Sequence, residues 1–273
     1  MAQVQLPQIA VTRFDDQLTK LWVAGYVNVV VLRCADTVVL LDSGFAETAT
    51  QVASQLEQLG IDRIDFLINT HADRDHTGGN AFLGADSTIV SHENCRRALA
   101  EQEGFPPAGL PTVTFTDSLR LSCGLDRIEL IAMPGGHTDG DIIAYLPHSG
   151  IVYLGDIIVP ETFPVVWLEY GEEVGVVQLS RVLGDIIGQF PEDTRFLSAH
   201  GCDYTMGDLR QYHAMVVQTV DLVRRAMEAG KTAEEMLQQG LLQQWRSWNS
   251  RLYDWVTTDY WIDTICQSLS QPY

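Results

Sequence analysis

The stretch THADRDHTGGN, Thr70 to Asn80, carries His71, Asp73, Asp75 and His76 within six positions. Imidazole and carboxylate side chains at this density are a metal-ligand pattern rather than a surface pattern. A short apolar run, DFLIN, precedes it and two glycines follow, so the ligands sit on a loop leaving a buried strand.

Working outward, three further candidates stand in the same position relative to a strand. His137 follows IELIAMPGG, Asp156 follows IVYLG, and His200 follows RFLSA. Taken singly, a histidine in a glycine-rich loop is an ordinary surface or capping residue. Together they make four histidines and three aspartates, enough for two metal ions with one carboxylate between them. Such a pair lowers the pKa of a bridging water, polarises a substrate oxygen and stabilises a leaving group. Imidazole with carboxylate suits zinc, iron or manganese.

Composition narrows the class. The 273 residues carry a net charge of −19, which repels polyanions and speaks against nucleic-acid binding. No apolar run is long enough to span a membrane. The first residues, MAQVQLPQIAVTRFDD, lack the basic and apolar regions of a secretory signal, so the expected compartment is the cytoplasm. The five cysteines are scattered and odd in number, which reads as mostly small buried hydrophobes in a reducing compartment.

Along the chain, GYVNVVVLR and DTVVLLDSG read as strands, residues 48–59 as a helix ending at Gly60, and 65–69 and 87–90 as strands. Residues 92–101 read as a helix and the proline-rich 104–116 as a loop. Strands are expected at 119–121, 127–132, 141–146, 151–154 and 195–198, and a helix at 174–190. From Met206 the pattern is helical to the end. Sheets covered by helices are the expected architecture, in one domain over 1–273 with a helical extension from about 205.

The ordered set resembles the metallo-β-lactamase superfamily. Its usual first motif is H-x-H-x-D-H; here the run is His71-Ala72-Asp73-Arg74-Asp75-His76, followed by TGGN. GGHTDGD around His137, YLGD ending at Asp156 and SAHG around His200 are similar to the later motifs, and LLDSG places Asp42 as the supporting first aspartate. The resemblance implies a four-layer αββα sandwich, with one metal on His71, Asp73 and His137, the other on Asp75, His76 and His200, and Asp156 bridging. It makes Asp75 and Asp156 the catalytic carboxylates. It implies a hydrolase using a metal-bound hydroxide on a small-molecule ester, lactone, amide or thioester, with zinc as the usual ion. His92, His148 and His213 match no motif.

Asp73 is the departure, since the superfamily usually has histidine there. With Asp73, Asp75, Asp156 and one hydroxide, the formal charge of two divalent ions is roughly cancelled. A harder, oxygen-richer site favours iron or manganese. An acid at this position resembles the diiron oxidoreductases and oxygenases of the same fold, which supplies the alternative reading. On the substrate side, Phe163, Trp167 and Tyr170, after the bridging Asp156, are expected to line an apolar pocket. Cys202 is expected to be a buried, inert thiol. The Trp- and Tyr-rich tail is expected to pack as helices, with a homodimer contact or a lid as further uses. Replacing Asp73 with histidine is expected to shift metal preference towards zinc, measured by competitive loading with zinc, iron and manganese; an unchanged profile would mean that Asp73 is not a ligand.

Overall fold

Two sheets arise where the β-branched runs of the sequence find cover. The computed structural model describes residues 9–34, 36–123, 126–171 and 173–271, so the first half of the N-terminal stretch read for a signal lies outside the described residues. The first sheet holds β1 (Ala10–Arg13), β2 (Leu18–Val23), β3 (Val27–Cys34), β4 (Thr37–Leu41), β5 (Phe66–Ile68), β6 (Thr88–His92) and β7 (Val113–Phe115), in that order. The second holds β8 (Ser118–Cys123), β9 (Asp126–Ala132), β10 (Ile142–Leu146), β11 (Ile151–Tyr153) and β12 (Arg195–Leu197), in the order β12-β11-β10-β9-β8.

Side-chain alternation assembles the layers. Ile142, Ala144, Leu146, Ile151 and Tyr153 face the first sheet, whereas Ile143, Val152 and Leu154 face helices on the outside. Helices α1 (Ala49–Gln58), α2 (Arg74–Thr77), α3 (Asn80–Leu83) and α4 (Glu93–Glu101) belong to the first half. Val52 and Leu56 of α1 pack into the core shared by the two sheets' strands. On the second sheet lie α5 (Val176–Gln189), α6 (Met206–Glu228) and α8 (Thr258–Ser270), with the short α7 (Ala233–Gln238) beside α8. This is the αββα sandwich with a helical C-terminal part. No helix among the described residues is long and apolar enough to cross a membrane.

Several local expectations are corrected. Strands β1 and β2 were not legible: β1 is exposed throughout, and Lys20 interrupts the apolar pattern of β2 because it is buried against Asp203. Within the expected loop 104–116, residues 113–115 form an edge strand parallel to β6. The tail is not helical between α7 and α8. A 3-10 helix over Gln243–Trp248 leads into an irregular turn, where Ser250 Oγ accepts from the N–H groups of Leu252 and Tyr253 and Ser250 N–H donates to Val256 O. A serine bonding its own backbone competes with helix.

The cysteine expectation fails for two residues. Cys34 at the end of β3 and Cys123 at the end of β8 form a disulfide joining the two sheets across 89 positions of sequence. These two are therefore not the free thiols expected. Cys95, Cys202 and Cys266 are free; Cys95 is buried, but Cys202 is exposed, contrary to the buried thiol expected, because it lies in the surface loop after β12. Replacing Cys34 and Cys123 together with alanine is expected to lower stability by about 2–4 kcal/mol in urea unfolding; an unshifted midpoint would show that the cross-link constrains nothing.

Candidate metal centre

Strand polarity explains why the candidate ligands converge. β4 and β5 run parallel, as do β11 and β12, and β9 is antiparallel to β10, which is antiparallel to β11. The loops after β4, β5, β9, β11 and β12 therefore open at one edge, carrying Asp42, His71 to His76, His137, Asp156 and His200 respectively. Backbone bonds lace the sheets together at that edge, from Asn28 N–H to Ala199 O (2.7 Å) and from Ile142 N–H to Thr70 O (2.9 Å). Glycine is required at two of the motif positions. Gly155 has φ +55°, and a Cβ there would lie 2.8 Å from the Thr70 side chain; a Cβ on Gly79 would collide with the Ser43 carbonyl.

The side chains form three overlapping groups of three, of which the group of His71, His76 and Asp156 spans the other two. His71, Asp73 and His137 make one; Asp75, His76 and His200 make the other. Asp73 Oδ2 lies 3.3 Å from His137 Nε2 and 3.6 Å from His71 Nε2. Asp75 Oδ2 lies 3.2 Å from His200 Nε2 and 3.5 Å from His76 Nε2. Asp156 stands between the groups, with Oδ2 3.1 Å from His200 Nε2 and 4.0 Å from both His71 and His137, and Oδ1 3.4 Å from His76. Every ligand position expected from the sequence, Asp73 included, is brought to this cluster.

Each imidazole is oriented from behind. His137 Nδ1 donates to Val165 O at 2.9 Å, His200 Nδ1 to Tyr26 O at 2.7 Å, and His76 Nδ1 to Asp42 Oδ2 at 2.9 Å. Thr70 Oγ1 gives its proton to Asp42 Oδ2 (2.8 Å) and so accepts from His71 Nδ1 (3.0 Å). All four rings then present Nε2 to the centre. The Nε2 atoms of His71, His76 and His200 and the Oδ1 atom of Asp156 are buried with no aligned hydrogen-bond partner. Buried polar atoms are rarely left so, and a convergent set of imidazole and carboxylate donors fits divalent ions.

The carboxylates are held ionised against burial. Burial disfavours the charge on Asp73, but His71 and His137 keep it well below the usual carboxylate range. Asp156 is likewise kept low by His200 and His76, and Asp75 by His76 and His200. The histidines respond in the opposite sense: against burial, Asp73 holds His137 up at about 10 and Asp156 holds His200 up at about 9.

The substrate-side expectations divide. Phe163 is not a pocket residue: it is fully buried, stacked on Trp261 at 6.0 Å in the core beneath α8. Trp167 and Tyr170 do reach the site, yet through their polar ends. Trp167 Nε1–H donates to Asp73 Oδ2 at 3.0 Å, and the Tyr170 hydroxyl to Asp73 Oδ1 at 3.4 Å. His92 caps α4, accepting from Asn94 N–H, and His213 bonds Ser180, in line with structural roles. Sequence reading missed Thr70, Asp141 and Tyr153, and offered Tyr253 and Trp255 only as members of an aromatic tail with a lid among its uses. Asp141 accepts from the N–H groups of His137 and Thr138 and so shapes the GGHTDGD loop; the paired aspartates of that run were its only signal. Tyr253 and Trp255 arrive from the tail and carry no motif.

A model of the metallo-beta-lactamase superfamily matches residues 22–231. The chain belongs to this superfamily, whose members are metal-dependent hydrolases. It is 27% identical over 201 residues to a hydroxyacylglutathione hydrolase of Gloeobacter violaceus, covering 74% of this chain and 72% of that one. It is 30% identical over 135 residues to a type 2 metallo-beta-lactamase of a Bacillus species, covering 48% and 50%. Among solved structures, a metallo-beta-lactamase from Pontibacter korlensis superposes with a TM-score of 0.66 at 17% identity, covering 77% of this chain and 99% of that one, a likeness of fold.

The raised histidines set a pH dependence. Their folded values lie above the unfolded value near 6.5, so in the metal-free protein their stabilisation is complete below about 6.5. It is lost as pH rises through about 9 for His200 and about 10 for His137. Against burial, Asp156 and Asp75 also hold His76 well above its usual value. Metal ligation needs neutral imidazole, so uptake at pH 7 is expected to release about three protons per chain from His76, His137 and His200. Calorimetric metal titration in buffers of different ionisation enthalpy measures this; release of fewer than one would contradict it.

Proposed function

We propose that the chain is a dinuclear metal-dependent hydrolase acting on a small-molecule ester, lactone, amide or thioester. The observation that carries this reading is Asp156, buried between two triads of ligands and within 4.0 Å of an Nε2 atom in each. The relatives named above are hydrolases of a thioester and of a lactam, which supports hydrolysis without choosing the bond. His71, Asp73 and His137 would hold one ion, Asp75, His76 and His200 the other, with Asp156 shared. Ions bound there supply Lewis acidity and lower the pKa of water at neutral pH.

The protein's own part is orientation. Asp42, Thr70, Val165 O and Tyr26 O fix the four imidazoles through Nδ1, leaving Nε2 as the donor. Asp156 acts as an anchor between the triads and Asp75 as one within its own, and both, held well below the usual carboxylate range, are weak proton acceptors at neutral pH. Trp167 and Tyr170 hold both oxygens of Asp73, so a side chain shorter than histidine is still presented to His71 and His137.

The carboxylate at Asp73 also favours a second reading, a diiron oxidoreductase, because it adds an oxygen donor to one triad. Elemental analysis of protein purified without added metal, with its visible spectrum and an ester and lactone panel, separates the two. Close to two zinc ions, no colour and turnover of an ester or lactone are expected. Two iron ions with charge-transfer absorption and oxygen consumption would favour the second reading, and one ion per chain would exclude a dinuclear mechanism. Asp156→Ala is expected to abolish stoichiometric binding of the second ion.

A further inference from the structure

We infer that Trp167, Tyr253 and Trp255 form a subsite at the mouth of this centre for an uncharged aromatic group of the substrate. The inference rests on the hydrolase reading and narrows its substrate class.

The rings make a continuous arc from one triad to the other. His137 lies 6.2 Å from Trp167, Trp167 5.8 Å from Trp255, Trp255 5.7 Å from Tyr253, and Tyr253 5.8 Å from His200. A group lying against this arc therefore sits beside both triads. Trp255 is 41% exposed, one of five large apolar side chains so exposed among the described residues. It is not loose. The turn at Ser250 fixes its segment, and Tyr260 packs edge-on against it at 5.0 Å. The N–H of Trp167 is already donated to Asp73, so its remaining free surface is ring. Such fixed ring faces attract an aromatic partner beyond the burial of area alone.

Charge decides which aromatic group fits. Among the described residues, every ion pair of Asp73, Asp75 and Asp156 is with a histidine, and none is with lysine or arginine. The cation–ring contacts, of Lys20 and Arg195, are both at Phe14 and not at this arc. Asp73 and Asp75 are the partly exposed charges of the mouth, at 21% and 15% of their side chains. With two divalent ions held there, these carboxylates and one hydroxide would roughly cancel the metal charge, so a substrate carboxylate would lose its solvation for little net attraction. A glutathione thioester, with two carboxylates, is ill matched to this mouth, whereas an uncharged aryl ester or lactone is well matched.

Three amide probes that share one aryl acetamide core test this on the full chain with its metal: 4-methylacetanilide, its carboxymethyl counterpart and its trimethylammoniomethyl counterpart. Dissociation constants come from NMR titration. The neutral probe is expected to bind about ten-fold tighter than the carboxylate, and Trp255→Ala to remove about ten-fold of that affinity while Trp255→Phe retains most of it. Equal or tighter binding of the carboxylate, tighter binding of the ammonium probe, no binding of any, or an unaffected Trp255→Ala variant would each overturn the subsite. Turnover of the matching ester, 4-methylphenyl acetate, reads the hydrolase assignment separately. Preferential binding without turnover of any ester, lactone, amide or thioester would sink that assignment and leave the subsite standing; hydrolysis that favours the carboxylate ester would do the reverse.

Discussion

The buried carboxylate of Asp42 is the constraint on which the site depends. It has no exposure to solvent and sits at the end of β4 with φ +60°, a left-handed conformation that aspartate tolerates better than most residues. A buried charge is stable only when fully bonded. Asp42 achieves this by accepting from Thr70 N–H, Thr70 Oγ1, His76 Nδ1 and, at 2.9 Å, the hydroxyl of Tyr153. Thr70 and His76 belong to the loop after β5 in the first sheet, and Tyr153 to β11 in the second. One carboxylate thus orients His76 directly and His71 through Thr70, and ties together the sheets whose loops carry the rest. Removing it would take away the acceptor of all four donors, and both triads would lose a fixed ring.

Asp73 shows how a change in one ligand is absorbed by its surroundings. Aspartate reaches less far than histidine and carries charge, so it needs donors that a histidine would not. The indole and phenol of the segment after Asp156 supply them, and the same segment bonds His137 twice, through Val165 O and Trp167 N–H. The loop expected to act as an apolar wall is therefore part of the electrostatic frame of one triad. Its apolar member, Phe163, turns the other way and anchors the segment to the core at Trp261. Ring faces are left for the substrate only where Trp167 meets Trp255 and Tyr253 from the tail.

The ligand set was legible in sequence because each ligand closes a strand-to-loop junction, and strand ends are marked locally by β-branched runs and turn residues. Asp42, His71, Asp73, Asp75, His76, His137, Asp156 and His200 are all of this kind. The same alternation with helical segments pointed to sheets covered by helices, and the αββα arrangement came from the resemblance of the ordered motifs to the superfamily. What could not be read were pairings between distant positions. Cys34 meets Cys123 across 89 residues, Tyr153 finds Asp42, Lys20 finds Asp203, and Tyr253 and Trp255 close over histidines far upstream. Local pattern also misled where one side chain reversed it, as at Ser250, whose bonds to its own backbone break a run spaced like a helix. By itself the sequence determined the chemistry of the donors and the strand ends that present them, because both are properties of short segments. Which aromatic ring faces the core and which faces the metals was decided only by tertiary structure, because that depends on partners brought together when the sheets pack.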